Sequence, residues 1–173
     1  MKTLKLLATI ALAAAVSAPV FAVEDDAAAG AAVITPLQII KTTDLDFGII
    51  APRLTAADTV KVLRNDPYIS VCGAELTCFA SGGRGNFKVT GEPFASFTLS
   101  NPGSITVSDG AGNSMLVDSF IGGGSSTNDY WGGGATFDAT GISHMHVGAT
   151  LYVGANQPVG TYVGTFTVTA EYQ

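Results

Sequence analysis

Two histidines form the first pair of residues whose types and spacing could support chemistry. His144 and His146 stand two positions apart in the stretch SHMHVGATLYV, which places both imidazoles on one face of a strand, where they could act as bases or metal ligands. No HExxH motif and no cysteine cluster accompanies them. The pattern therefore favours two exposed polar side chains on a sheet.

Two aspartates form the second pair. Asp44 and Asp46 share one strand face in the stretch TTDLDFG, and paired carboxylates could bind calcium. The oxygen-rich loop pattern of calcium sites is missing, so solvated strand residues are the favoured interpretation. The sequence also contains no GxSxG elbow, no phosphate-binding glycine loop with its lysine and no dinucleotide fingerprint. We expect no catalytic site, no metal and no cofactor, and hence no enzyme.

The first 22 residues predict export. The stretch MKTLKLLATIALAAAVSAPVFA has the positive start, the apolar centre and the small-residue cleavage site of a signal peptide, so the mature chain is expected to begin at Val23. We expect the product to pass through the periplasm to the cell surface or the medium. The apolar centre is shorter than the roughly 20 residues that a membrane-spanning helix needs, and no second candidate follows.

The only two cysteines form the third pair. Cys72 and Cys78 are most simply explained as one disulfide that closes a local hairpin or loop, because export places them in an oxidising compartment. A metal or redox pair is the alternative. The spacing is not CxxC, and there is no further cysteine to complete a metal site.

The mature chain is acidic and apolar. Without the two lysines of the leader, 14 acidic residues stand against six lysines and arginines, a net charge of −8. An acidic surface argues against nucleic acid or an anionic membrane as a partner. With 47% hydrophobic and 13% charged residues, the chain is too apolar to remain unfolded. Its length suits one domain with a substantial core.

Short alternating runs separated by glycine, proline, asparagine and aspartate predict an all-β, antiparallel sandwich or barrel. The candidate strands are VITPLQII, LDFGII, TVKVL, YISVC, NFKVT, SFTLS, SITV, SMLVDSFI, ATF, SHMHVGATLYV and the C-terminal run VGTYVGTFTVTAEYQ. In the C-terminal run, residues 161–172 predict one long strand with an aromatic inner face and a threonine-rich outer face. The turn GANQPVG predicts that this strand forms a hairpin with residues 143–153.

The stretch SSTNDYWGGG places two aromatic residues in a glycine-rich loop. Tyr130 and Trp131 could stack on a sugar or anchor a protein contact, including packing between subunits. Local packing over the end of the sandwich is the alternative.

The two ends of the mature chain resemble known proteins. The segments ITPLQIIKTTDLDFG and LYVGANQPVGTYVGTFTVTAEY resemble a family of exported bacterial proteins that is catalogued as a domain of unknown function and is similar to pilins. The C-terminus also resembles that of chaperone-usher pilus subunits, which carry a penultimate tyrosine and a glycine fourteen residues from the end. Here Tyr172 is penultimate and Gly160 is fourteenth from the end.

The resemblance implies an immunoglobulin-like β-sandwich with an incomplete edge, which takes a strand from another molecule. It implies an assembly strand whose inner residues are Gly160, Tyr162, Gly164, Phe166, Val168, Ala170 and Tyr172. The implied partners are other copies of the chain or related subunits, a periplasmic chaperone and an outer-membrane usher.

The donor segment should then lie before the first body strand. In residues 27–34, Ala28, Gly30, Ala32 and Ile34 share one face, although pilin donor strands carry bulkier residues. A passive, flexible lead-in is the alternative. We thus expect a signal peptide at 1–22, a flexible extension at 23–32 and a single β-sandwich domain at 33–173.

The function expected from the sequence is that of a structural subunit of a bacterial surface fibre, pilus-like and assembled by donor-strand exchange. The alternative is a monomeric, secreted β-sandwich that binds a glycan or another surface ligand through its loops.

Overall fold

Short antiparallel strands joined by tight turns make up the described part of the protein. The structure is a computed structural model, and it describes residues 24–65, 70–80, 82–124, 131 and 133–173. Those residues form twelve strands and no helix. The strands are β1 (Gln38–Thr43), β2 (Ile49–Pro52), β3 (Asp58–Val62), β4 (Ser70–Cys72), β5 (Leu76–Ala80), β6 (Gly85–Thr90), β7 (Ser96–Leu99), β8 (Ile105–Ser108), β9 (Ser114–Gly123), β10 (Ala135–Thr136), β11 (Ile142–Val153) and β12 (Ala170–Tyr172). The predicted all-β, antiparallel, sandwich-like fold is confirmed.

The chain divides into two units, Met1–Ala32 and Val33–Gln173. Of the first unit, residues 24–32 are described, and they are exposed and outside any strand. The predicted signal peptide lies outside the described residues. No helix among the described residues is long and apolar enough to cross a membrane.

Strand β11 is the centre of the large sheet. One of its flanks pairs with β6 and then with β3, and the other flank pairs with β9. Strands β1, β4 and β8 widen the sheet by pairing with β6, β3 and β9. The alternation that the sequence predicts for β11 is confirmed, since its inward side chains are all buried. They are Met145, Val147, Ala149, Leu151 and Val153.

A long two-stranded ribbon leaves the large sheet. Strands β2 and β5 form a separate pair. Asp46 and Gly83, which lie between this pair and the β1–β6 pair, exchange two backbone hydrogen bonds of 2.8 Å. Residues 38–52 therefore run antiparallel to residues 76–80 and 82–90. Gly48, with φ +82°, lies where a Cβ would be 2.1 Å from the Ala80 carbonyl oxygen, so this close approach requires glycine.

A three-stranded sheet in the order β10, β7, β12 completes the fold. Its buried side chains join those of the large sheet in one core cluster. Within it, the Phe97 and Phe137 rings are stacked with centroids 4.3 Å apart. The core thus lies between the large sheet and the small one.

The predicted C-terminal hairpin is wrong. β12 pairs with β7, and the partners of β11 are β3, β6 and β9. The predicted strand over residues 161–172 is also too long, because regular pairing is confined to Ala170–Tyr172 and a single bridge at Val163. Alternation of side chains shows which face is buried, but it does not identify the neighbouring strand.

Candidate functional site: the free flank of the C-terminal run

Residues 161–172, here called the C-terminal run, lie antiparallel to residues 97–108 and are paired with them at both ends. At one end, Val163 and Ser108 exchange two backbone hydrogen bonds of 2.9 Å. At the other end, Tyr172 lies opposite Phe97, and the Ser100 N–H donates to the Thr169 carbonyl oxygen at 2.9 Å. The run therefore connects the edge strand β8 of the large sheet to the small sheet.

The middle of the run lacks main-chain partners among the described residues. Ala170 lies opposite Leu99, and Val163 lies opposite Ser108. Between these two pairs the run advances by seven residues, whereas the neighbouring segment advances by nine. The stretch NPGS at residues 101–104 lies outside any strand and accounts for the extra length. Gly103 has φ +73° there and donates its N–H to the Asn101 side chain at 2.9 Å.

The flank of the run that faces away from β7 and β8 is here called the free flank. In an antiparallel pair, residues that direct both N–H and C=O to the partner alternate with residues that direct both groups away. Val163 faces its partner, so the even-numbered residues of the run face the free flank. No backbone hydrogen bond within the described chain reaches Gly164, Phe166 or Val168. β12 continues the free flank, since β7 is its only partner among the described strands.

Side chains hold the run against the core. The Phe166 ring centroid lies 5.1 Å from that of Phe120 and 6.0 Å from that of Phe87. Val168 is 9% exposed, whereas the odd-numbered residues of the run are all exposed. Phe166 and Val168 thus lie on the inner face and the threonines on the outer face, as predicted, whereas Gly164, which was also predicted to lie on the inner face, is exposed. Gly164 allows close approach to β8, because a Cβ there would be 2.7 Å from the Thr106 carbonyl oxygen.

Three residues, here called the Tyr172 cluster, join the end of the run to the start of the domain. The Tyr172 hydroxyl donates to the Thr35 carbonyl oxygen at 2.7 Å and accepts from the Glu92 N–H at 2.6 Å. The Thr35 N–H donates to Glu92 Oε2 at 2.8 Å. Hydrogen bonds from the side chain and backbone of Thr35 lower the pKa of the Glu92 carboxyl. Gly91 makes room for the cluster, because a Cβ there would be 2.5 Å from the Tyr172 hydroxyl.

The candidate donor residues form no strand in this structure. Ala28, Gly30 and Ala32 are exposed, and so is Ile34 at the start of the second unit. Of the predicted strand VITPLQII, only the last three residues lie in β1, and the first five lie outside any strand. The described residues that precede Thr35 are thus exposed and outside any strand.

Of the two loop aromatics, Trp131 is described and Tyr130 lies outside the described residues. Trp131 is half-buried against the core cluster, and its ring covers Gly122, where a Cβ would be 2.4 Å from Trp131 Cζ2. This placement is that of local packing.

The two histidines lie on the outer face of β11, as the sequence predicts. His146 Nδ1 is 2.6 Å from Asn86 Oδ1. Burial, followed by the charges of Arg84, His144 and Arg64, lowers the pKa of His146. Nowhere in the described chain do three His, Cys, Asp or Glu side chains group as metal ligands would.

The two aspartates make local contacts. Asp44 is exposed and forms an ion pair with Lys41. Asp46 Oδ1 accepts a hydrogen bond from the Gly48 N–H at 2.9 Å. Both contacts are local to the segment that links β1 to β2 within the ribbon.

The predicted disulfide is confirmed. Cys72 at the end of β4 is bonded to Cys78 in β5 across a short turn. It secures the ribbon strand β5 to the edge of the large sheet.

A surface recess of about 490 Å³ lies at one end of the large sheet. Thr59, Tyr152 and Leu116 are successive cross-strand neighbours in its wall, and the last two are partly exposed. Asp58 also lines it, and backbone hydrogen bonds from Glu75 and Thr59 lower the pKa of this carboxyl. No sequence pattern marks this recess, since β3, β9 and β11 bring its residues together from distant positions.

A family described as a domain of unknown function, DUF4402, matches residues 37–172. The chain belongs to the DUF4402 family. No curated protein and no solved structure matches the chain. The DUF4402 match includes every strand from β1 to β12 and the whole free flank, and it begins two residues after Thr35.

Proposed function

We propose that this chain is a structural subunit of a bacterial surface fibre, pilus-like and assembled by donor-strand exchange. Residues 28–34 of one copy would pair with the free flank of the next copy. The observation that carries the proposal is that the main chain of Gly164, Phe166 and Val168 has no backbone partner among the described residues, above a filled apolar core. An extended segment added there would gain main-chain hydrogen bonds along the flank.

The composition of the candidate donor suits this flank. Phe166 already contacts Phe87 and Phe120, so the core beneath the run is filled by the domain's own side chains. A donor with small residues such as Ala28 and Ala32 can lie beside the run without needing deep pockets. In this arrangement the main chain contributes more of the binding than the donor side chains.

Export is part of the same proposal. The predicted signal peptide would direct the chain through the periplasm, where the resemblance to chaperone-usher subunits suggests a chaperone and an usher as transient partners. Other copies of the chain, or related subunits, are the lasting partners. Each contact is head-to-tail, which produces an open filament when the rotation does not close.

The proposal is tested by comparing the chain from Val23 with a chain that lacks residues 23–34. We expect the first to associate with increasing concentration in light scattering and the second to remain monomeric with an unchanged circular dichroism spectrum. A chain lacking only residues 23–27 is the matched control and should still associate. Equal association by all three chains would contradict the proposal.

Glycan binding by a monomer is the second candidate function, and the recess at Tyr152 favours it. An exposed aromatic ring beside Leu116 and the carboxylate of Asp58 could stack on a sugar and accept its hydroxyl hydrogens. A glycan array would support this function if binding is lost in Tyr152→Ala and kept in Trp131→Ala. Monomeric behaviour of the intact chain together with that result would replace the fibre proposal.

A further inference from the structure

An exposed phenylalanine occupies a turn position that normally takes glycine. The Ala95 N–H donates to the Glu92 carbonyl oxygen at 3.1 Å, with Pro93 at the second position of the turn and Phe94 at the third. Phe94 has φ +62° and is 70% exposed. Proline followed by a residue with positive φ is the pattern of a type II turn, in which glycine or asparagine is usual at the third position.

This conformation costs stability without gaining burial in the isolated chain. Bulky residues with positive φ are true outliers, and such strain is found preferentially at functional sites. An exposed aromatic ring in this position therefore requires a reason outside the domain's own packing. Val33, Leu54, Phe79 and Val159 are at least as exposed as Phe94, but none of them has a positive φ.

The turn lies beside the point where the N-terminal extension leaves the domain. Glu92 lies two residues before Phe94. Its Oε2 accepts a hydrogen bond from the Thr35 N–H at 2.8 Å, and its N–H donates to the Tyr172 hydroxyl at 2.6 Å. Ile34, the residue before Thr35, is 52% exposed. Phe94 and Ile34 are thus apolar groups held near the base of the extension by the Tyr172 cluster.

We propose that Phe94 is an apolar contact between neighbouring subunits, packing on the copy that receives this subunit's extension. The inference rests on the proposed function. When residues 28–34 lie on the free flank of a second copy, Thr35 is brought to that copy's surface. Because Thr35 is hydrogen-bonded to Glu92, the turn that carries Phe94 is brought there too. The occupant of this surface is therefore a second copy of the chain.

Phe94→Gly in the full mature chain tests the proposal, with Leu54→Gly as the matched control. Glycine accepts positive φ freely, so the melting temperature of Phe94→Gly should be unchanged or higher. Its association rate in light scattering should fall about tenfold relative to the unsubstituted chain, since a buried aromatic contact is lost. Leu54→Gly should associate at the unsubstituted rate. Phe94→Asn, which also tolerates this backbone conformation, should behave like Phe94→Gly.

A peptide of residues 24–34 separates the failure of this inference from the failure of the proposed function. Phe94 belongs to the donor's body, so the free flank of Phe94→Gly should take up the peptide as well as the unsubstituted chain does. Unchanged association of Phe94→Gly, or equal slowing in Leu54→Gly, with normal peptide uptake would overturn the role of Phe94 alone. Absence of peptide uptake by the unsubstituted chain would overturn the proposed function and the inference with it.

Discussion

Replacing Phe166 by alanine should destabilise the domain by about 2 kcal/mol. Removal of a fully buried phenylalanine costs about 3–5 kcal/mol, and Phe166 is only half-buried, so roughly half of that range applies. The lost contacts are those with the rings of Phe120 and Phe87. Because the middle of the C-terminal run lacks backbone bonds to the described chain, no ladder of main-chain bonds would keep it in place after the substitution.

Urea denaturation followed by circular dichroism measures this effect. Thr167→Ala is the matched control, because Thr167 is the next residue and is exposed; it should change the free energy of unfolding by no more than about 0.5 kcal/mol. Equal destabilisation by the two substitutions would refute the argument that side chains on one face hold the run. An effect of Phe166→Ala below about 0.5 kcal/mol would refute it as well.

Three further predictions concern the disulfide, the half-buried tryptophan and a histidine. Serine in place of both Cys72 and Cys78 should lower the free energy of unfolding by about 2 kcal/mol, measured by urea denaturation against the disulfide-bonded parent. Gly122→Ala should displace the Trp131 ring, costing about 1–3 kcal/mol and shifting the emission of the only tryptophan to longer wavelength. Burial and then neighbouring positive charges lower the pKa of His146 below its usual 6.5, so the unfolded chain binds the proton more readily. The stabilisation that depends on neutral His146 should be fully present above pH 6.5. It should be lost as the pH falls through the lower pKa that His146 has in the folded state. His146→Gln should remove this dependence in thermal melts at a series of pH values.

Periodicity in the sequence was sufficient to predict the positions of most strands and the buried face of β11. β3, β6, β7, β8, β9 and β11 lie where alternating residues predict them, because successive side chains of these strands differ in burial. Strand β5 was missed, since its sequence LTCFA shows little alternation and the disulfide and the ribbon partner β2 hold it. A strand that is stabilised mainly by its neighbours shows only a weak pattern in its own sequence.

The partners of the C-terminal run could not be predicted from the sequence. The nearest run with the right pattern, β11, is already paired on both flanks by strands distant in sequence. The run pairs instead with the two ends of residues 97–108. Because residues 101–104 are outside any strand, the middle of the run has no backbone hydrogen bond within the described chain. The Tyr172 cluster was also missed, because Thr35, Glu92 and Tyr172 become neighbours only in the folded chain.

Amide hydrogen exchange at the free flank tests the central claim most directly. In the unit Val33–Gln173, the amides of Gly164, Phe166 and Val168 should exchange rapidly, and the amide of Val163, which donates to the Ser108 carbonyl oxygen at 2.9 Å, should be protected. Saturation with a peptide of residues 24–34 should slow exchange of the first three amides by about 100-fold or more and leave that of Val163 little changed. Strong protection of the three amides before the peptide is added, or rapid exchange after it, would contradict the existence of a flank that receives a strand from another copy.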